Sequence, residues 1–143
     1  MSRAAILDAL RDDTPLSALV PEGNIIANPQ GDGRPNDLQK DNFIVLRWME
    51  QDWDTRFRKG PRNLEVWAHT PKEKSDSYND IDAILLRVTK VIDTLELIEG
   101  EDGWKITMAY PGGGWSGDLV DPSYNTIMKN ALFKVLSNPV ESH

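Results

Sequence analysis

The sequence contains no cysteine and only two histidines, one of which is His143 at the end of the 143 residues. Without cysteine there is no thiol catalysis, no cysteine-ligated zinc and no disulfide framework. Two histidines are also too few for a histidine metal cluster. No apolar run reaches membrane-spanning length, and residues 1–4 lack the apolar core of a signal peptide. We therefore expect a protein without metal, cofactor or membrane contact, made in a cytoplasm.

Positive charge is outnumbered by negative charge, since 16 Lys and Arg residues stand against 23 Asp and Glu residues, which gives a formal net charge of −7 and a pI of about 4.8. Nucleic-acid binding draws most of its affinity from Lys and Arg that neutralise phosphates, so this balance opposes it. The same balance is compatible with a surface that DNA passes without sticking. Five tryptophans are many for so short a chain. Some of them could serve as interface anchors, although core positions would explain them equally well.

The hydrophobic pattern predicts one α+β domain spanning residues 1–143. Apolar residues at three- and four-residue spacing predict a long helix, which begins near Ser77 with a capping box to Asp80 and continues to Leu95. We expect this helix to pack on one face of a single, mostly antiparallel sheet. The other predicted elements are a short N-terminal helix from Ser2 to Asp12, a helical turn over 16–20 capped by Thr14, strands over 24–28, 42–50, 63–69 and 104–110, a possible short strand within 115–120 and a closing strand over 124–136.

Two stretches leave the prediction open. The closing segment also fits a period of four at Met128, Leu132 and Leu136, so a helix is the alternative there. The glycine-rich stretch 111–117 lacks the Lys-Ser/Thr pair and the helix of a phosphate-binding loop, and we interpret it as a flexible turn between strands.

His69 is the obvious candidate for catalysis, because it ends a predicted strand that faces an Asp-rich helix start. Paired with Asp76, Asp80 or Asp82 it could act as a general base in a small hydrolase. No serine or threonine stands in a nucleophile context, however, so a surface or interface histidine is the simpler interpretation. These aspartates, together with Glu99, Glu101 and Asp102, could hold a divalent metal, but the set lacks EF-hand spacing, and acidic residues near a helix N-terminus are favoured without any ligand.

One basic segment stands out in this acidic chain, between the second and third predicted strands. Its Gly60-Pro61 turn places it on the protruding end of a β-hairpin. Positive charges beside Trp53 and Phe57 make it a candidate docking element for an acidic partner, with a solvated loop as the alternative. The residues that we predict to bind a partner are Arg56, Phe57, Arg58, Lys59 and Arg62 of this hairpin, and Trp67 and His69 of the following strand.

The run "RKGPRNLEVWAHTPKEKSDSYNDIDAILLRV" resembles the tail terminator (tail completion) proteins of long-tailed phages, particularly those of actinobacterial phages. The likeness lies in a hairpin ending Gly-Pro-Arg, a strand "LEVWAHTP", a polar link and a helix "YNDIDAILLRV". The opening "AAILDALRDDTPLSALVPEGNI" and the late "GWSGDLVDPSYNT" followed by a closing strand are similar to the family as well. Phage head-completion and neck adaptor proteins of this size are the nearest alternatives.

The resemblance implies a structural virion protein with no enzymatic activity, located at the tail–neck junction and made in the cytoplasm of a bacterial host. Members of this family form a six-membered ring that caps the tail tube, stops its elongation and meets the head–tail connector, while DNA passes through the lumen without specific binding. The expected partners are therefore other copies of the chain, the major tail tube protein and the connector or neck proteins. Closed rings of this kind use heterologous contacts between subunits.

Overall fold

A computed structural model describes residues 3–27, 41–51, 61–100 and 103–139. Within these ranges the chain is mainly β-structure with a few helices. The elements are α1 Arg3–Asp12, α2 Thr14–Ser17, a 3₁₀ turn Glu22–Asn24, β1 Ile25–Ala27, β2 Phe43–Gln51, β3 Arg62–Pro71, α3 Asn79–Asp93, β4 Glu96–Glu99, β5 Trp104–Trp115, β6 Leu119–Asp121 and β7 Thr126–Pro139.

All seven strands belong to one sheet, in the order β1-β2-β3-β7-β5-β4, with β6 paired to β7. The pair β1–β2 is parallel, whereas the other pairs are antiparallel. The sheet is therefore mixed and not purely antiparallel. The closing segment is the strand β7, so the helical alternative for it is wrong, and β7 lies at the centre of the sheet between β3 and β5.

The two sides of the sheet differ, and we call them the inner face and the outer face. Alternation along β2 sends Ile44, Leu46 and Trp48 to the inner face, where they join one large cluster of buried residues. The buried residues of α3 belong to the same cluster: Ile81, Ile84, Leu85, Val88, Val91 and Ile92. On the outer face Phe43 and Val45 form a second, much smaller cluster. Alternate residues of β2 therefore lie on opposite faces of the sheet.

The helix starts differ from the predicted ones in their caps. Asp13, and not Thr14, caps α2, because its Oδ2 accepts a hydrogen bond from the Leu16 N–H at 3.0 Å. The capping box predicted at Ser77 is wrong as well. Tyr78 occupies the N-cap of α3 without a side-chain cap, and Ser77 Oγ accepts only the Asn79 N–H at 3.3 Å.

Asp13 also joins the first helices to α3. Its two carboxylate oxygens accept hydrogen bonds from Arg87 Nε and Nη2, each at 2.8 Å. The hydrogen bond from Arg87 is the main reason that the pKa of Asp13 lies below its ordinary value of 3.8. This fork-to-carboxylate pairing links the N-terminal helices to α3 in a defined geometry.

The glycine-rich stretch is part of a strand and not the turn that its composition suggests. β5 continues through residues 111–115, where Gly114 pairs with Leu132 of β7. A Cβ on Gly112 would lie 2.6 Å from Lys134 Cγ, and one on Gly113 would lie 2.9 Å from Leu132 Cδ1. These glycines therefore let two β7 side chains lie directly against the β5 backbone.

The two edges of the sheet are treated unequally. At β1, Arg11 donates hydrogen bonds from Nη2 (2.7 Å) and Nε (3.2 Å) to the Ile25 carbonyl, which occupies that edge with a helix side chain. At the other edge every residue of β4 is exposed. Within β4, Leu97 has a φ of 55° and is 66% exposed. The sequence did not predict β4, which follows directly after the predicted end of the long helix at Leu95.

Candidate partner-binding surface

Four of the residues that the sequence singles out, Arg56, Phe57, Arg58 and Lys59, lie outside the described residues. The segment that carries them joins β2 to β3, which are antiparallel neighbours with Gln51 opposite Arg62. Arg62 is the first residue of β3 and is half-buried. The docking role of this segment therefore stays a prediction.

Trp67 and His69 both lie on the outer face, where strand register assembles three rows of side chains across β2, β3 and β7. Residues directly opposite each other in antiparallel strands share a face of the sheet. The rows are Phe43, His69 and Met128; then Val45, Trp67 and Asn130; then Arg47, Glu65 and Leu132.

His69 is not at a strand end or on the surface, as the sequence suggested, because β3 continues to Pro71 and the His69 side chain is only 3% exposed. Its ring stacks on Phe43 with centroids 4.5 Å apart and an interplanar angle of 5°. Its Nδ1 shares a hydrogen bond with Thr126 Oγ1 at 2.8 Å. His69 is therefore a packed part of the outer face.

A His69–Asp82 catalytic pair is not formed. Asp82 lies in the first turn of α3, and its Oδ1 accepts a hydrogen bond from Lys129 Nζ at 2.6 Å. This hydrogen bond is the main cause that raises the pKa of Lys129. Ala68, the neighbour of His69 in β3, is buried in the inner cluster together with Ile81 of α3, so the histidine points away from that helix.

A cavity of about 480 Å³ opens on the outer face above these rows. Val45, Trp67 and Met128 form its apolar lining, with Arg47 and Asp121 as the charged groups; His69, Ser123 and Tyr124 complete the lining. Arg47 is exposed, and no ion pair joins it to another described residue. A cavity that combines an apolar lining with few charged groups is suited to recognition.

The wall of this cavity is built by the turn between β6 and β7. Asp121 Oδ1 accepts hydrogen bonds from the N–H groups of Ser123 (2.9 Å) and Tyr124 (3.1 Å). This Asx turn brings the Tyr124 ring within 5.4 Å of the His69 ring and 5.8 Å of the Phe43 ring. Sequence reasoning missed Asp121 and Tyr124, although Asp-Pro-Ser-Tyr is a recognisable turn signal.

Polar groups are buried in this face at specific positions. Glu65 is 7% exposed and its Oε2 accepts a hydrogen bond from Asn130 Nδ2 at 3.3 Å. Nearby apolar side chains remain open to solvent, with Leu119 at 38% and Leu132 at 37% exposure. The face therefore combines exposed apolar area with oriented polar groups, which is typical of protein–protein interfaces.

No group of three or more His, Asp or Glu side chains is gathered as metal ligands would be within the described ranges. In those same ranges, none of the helices has both the length and the apolar character that crossing a membrane requires.

No protein-family model matches the chain, and a search of curated proteins finds no match. Among solved structures, the chain is similar to one in the virion of a native gene transfer agent particle. The two chains are 13% identical, with a TM-score of 0.64, and the alignment covers 95% of this chain and 94% of the other. At this identity the likeness establishes a shared fold over nearly the whole length of both chains.

Proposed function

We propose that this chain is a structural virion protein of a tailed phage or phage-like particle, and that it acts as a tail terminator. In this role a ring of copies caps the tail tube, stops its elongation and forms the surface that meets the head–tail connector. DNA passes through the lumen without being bound.

The observation that carries the proposal is the fold shared with a chain of a gene transfer agent virion, which extends over 95% of this chain. A match over almost the whole length of both chains favours a similar structural role over reuse of the fold for a different function. The sequence resemblance to tail terminators supports a position at the junction of tail and neck within the virion.

The outer face supports a role in assembly rather than in chemistry. Its cavity, its exposed Leu119 and Leu132 and the exposed Arg47 give a partner both apolar area and a charge to recognise. The imidazole of the cavity lining, that of His69, is stacked on Phe43 and hydrogen-bonded to Thr126. Such a histidine suits a fixed scaffold more than a mobile general base.

The acidic composition, with a net charge of −7, suits a passage for DNA, because a wall of like charge does not trap the polyanion. The basic segment with Arg56, Arg58 and Lys59 would then be the exception that docks onto the tube or onto a neighbouring subunit. A triple reversal of these residues to Glu should leave folding intact and prevent normal tail termination; tails of normal length and full infectivity in that variant would reject this docking role.

The direct test uses purified protein and growing tail tubes. A terminator binds the open end of the tube and halts its elongation, which electron microscopy measures as a fixed tube length. Binding only to the portal side of heads would instead support the head-completion or neck adaptor. Binding to neither would remove the virion role altogether.

A hydrolase that uses His69 is the remaining alternative. The variant His69→Ala addresses it when assayed in parallel for hydrolytic activity and for virion assembly. A hydrolytic activity of the wild type that disappears in His69→Ala would favour the enzyme.

A further inference from the structure

We infer that β4 of one copy docks into the outer-face cavity of a second copy, with Leu97 entering the cavity and Glu96 and Glu99 approaching Arg47. The contact joins two different surfaces of the same chain and therefore repeats from copy to copy. The inference deepens the proposed function, because it names the surfaces through which a ring of this chain would close, but the contact itself can be tested on the isolated protein.

Leu97 has the properties of an anchoring side chain. It is 66% exposed, the highest value among the large apolar side chains that the structure describes. Its φ of 55° is a left-handed conformation that leucine rarely adopts. An unfavourable backbone conformation that projects an apolar side chain into water gains nothing for the isolated subunit, and such outliers cluster where ligands and partners bind.

The cavity offers the matching surface. Its volume of about 480 Å³ is ample for a leucine side chain, and Val45, Trp67 and Met128 provide apolar contact area. Aromatic walls such as Trp67 and Tyr124 are the residue types that contribute most in interface pockets.

Charge complementarity gives the orientation. Glu96 precedes Leu97 and Glu99 follows Ile98, and all four residues are exposed, so β4 presents two apolar side chains between two carboxylates. Arg47 lines the cavity and is exposed, and Glu65, which lies opposite it in the sheet, already accepts a hydrogen bond from Asn130. A guanidinium group pairs well with carboxylates, so Arg47 is the natural partner for the acids of an incoming β4.

The positions of the two surfaces favour a contact between copies. β4 is the last strand at one edge of the sheet, and none of the residues that line the cavity lies on β4 or on its neighbour β5. The lining comes from β2, β3, β7 and residues 121–124. A second copy is therefore the occupant that carries the matching strand.

The absence of cysteine provides a clean test by disulfide trapping. The double variant Leu97→Cys with Met128→Cys puts one thiol on β4 and one in the cavity. Under mild oxidation we expect a ladder of covalent oligomers, because each copy can bond to two neighbours. Each single-cysteine variant should give no product larger than a dimer.

The matched control is Leu86→Cys with Met128→Cys, since Leu86 is also an exposed leucine (51%) but lies on α3. This control should give no ladder. Equal ladders from the two double variants, or none from Leu97→Cys with Met128→Cys, would overturn the inference.

Assembly of the untrapped protein gives a second measurement, by sedimentation velocity over a range of concentrations. Leu97→Ser and Arg47→Glu should each weaken self-association at least about tenfold, whereas Leu86→Ser and Lys90→Glu on α3 should not. A mixture of the two weakened variants should stop at dimers, because only one competent contact can form. A wild type that stays monomeric throughout its soluble range would contradict the inference.

These results are distinguishable from those on tail capping. Protein that forms the ladder but does not halt tube growth would contradict the tail terminator proposal and leave the contact between copies standing. Protein that halts tube growth but forms no Leu97–Met128 ladder would support the tail terminator proposal and contradict the contact between copies.

Discussion

The two faces of the sheet are built on different chemical principles, although the same strands supply both. The inner face is an apolar layer shared with α1 and α3, in which Phe133, Leu64 and Ile84 are fully or almost fully buried. The outer face buries polar side chains among aromatic ones, and examples are Glu65, His69 and Thr126 at 7%, 3% and 0% exposure.

The difference shows which face is shaped by folding alone. Buried polar groups stabilise a fold only when each is hydrogen-bonded. An apolar layer would cover the same sheet without leaving any buried polar group to be paired. A face that keeps such groups in fixed positions beside exposed leucines agrees with the partner-binding role proposed for it, whereas the inner face contains most of the buried apolar core.

The strongest test of this contrast uses two neighbouring residues of β7. Phe133→Ala should destabilise the protein by about 3–5 kcal/mol, because it leaves a cavity in the inner layer. Leu132→Ala, on a side chain that is 37% exposed on the outer face, should change stability by less than about 1 kcal/mol. Denaturant unfolding measures both, and similar losses for the two variants would break the comparison.

The next largest effect is expected for the hydrogen bond between Thr126 and His69 in the outer face. Thr126→Val keeps the side-chain shape but removes the hydroxyl that bonds His69 Nδ1, so we expect a loss of about 1–2 kcal/mol. The control is Thr89→Val on α3, whose hydroxyl bonds the Leu85 carbonyl within the helix and should contribute less than about 0.5 kcal/mol. If Thr126→Val were neutral, the buried polar groups of this face would not be holding its shape.

The ion pair between Asp13 and Arg87 should make the free energy of unfolding depend on pH. Because Arg87 lowers the pKa of Asp13 in the folded protein, the stabilisation is present above the unfolded pKa and is lost as pH falls through the lower folded value. Asp13→Asn keeps a capping side chain and should lower stability at neutral pH by about 1 kcal/mol.

That deficit should shrink below the ordinary aspartate pKa of 3.8 and disappear once the wild-type carboxylate is protonated. Unfolding free energies measured at a series of pH values test the sign. A deficit that is the same at every pH would mean that the charge of Asp13 is not involved.

The smallest expected change in stability belongs to Leu97→Gly. Glycine adopts the positive φ of this position freely, so the isolated subunit should be unchanged or stabilised by up to about 1 kcal/mol. The same variant should weaken self-association, because the anchoring side chain is gone. Stability and assembly that fall together would mean that Leu97 serves the fold of its own subunit.

Much of the fold could be predicted from local patterns. Two-residue alternation in β2 and β3 gives the division between Trp48 inside and Trp67 outside, and the spacing from Ile81 to Ile92 gives α3. Long periodic segments specify their own buried side, because the period alone determines which residues share a face.

The features that the sequence did not predict depend on distant residues. β5 extends through its glycines because Leu132 and Lys134 of β7 lie against them. The glycine-rich composition by itself predicts a turn. β1 is three residues long and parallel to β2, a pairing that three residues cannot encode. The cavity needs Tyr124 folded over His69 from another part of the chain, so its lining could not be assembled from one segment.

Arg11 places a charged side chain on the backbone of an outermost strand of the sheet. By donating to the carbonyl of Ile25, it occupies a backbone acceptor of β1, which is then not available to a strand of another chain. Charged side chains at outermost strands are one means by which proteins keep the sheets of neighbouring copies from joining edge to edge. At β1, Arg11 therefore works against strand addition when many copies are crowded together.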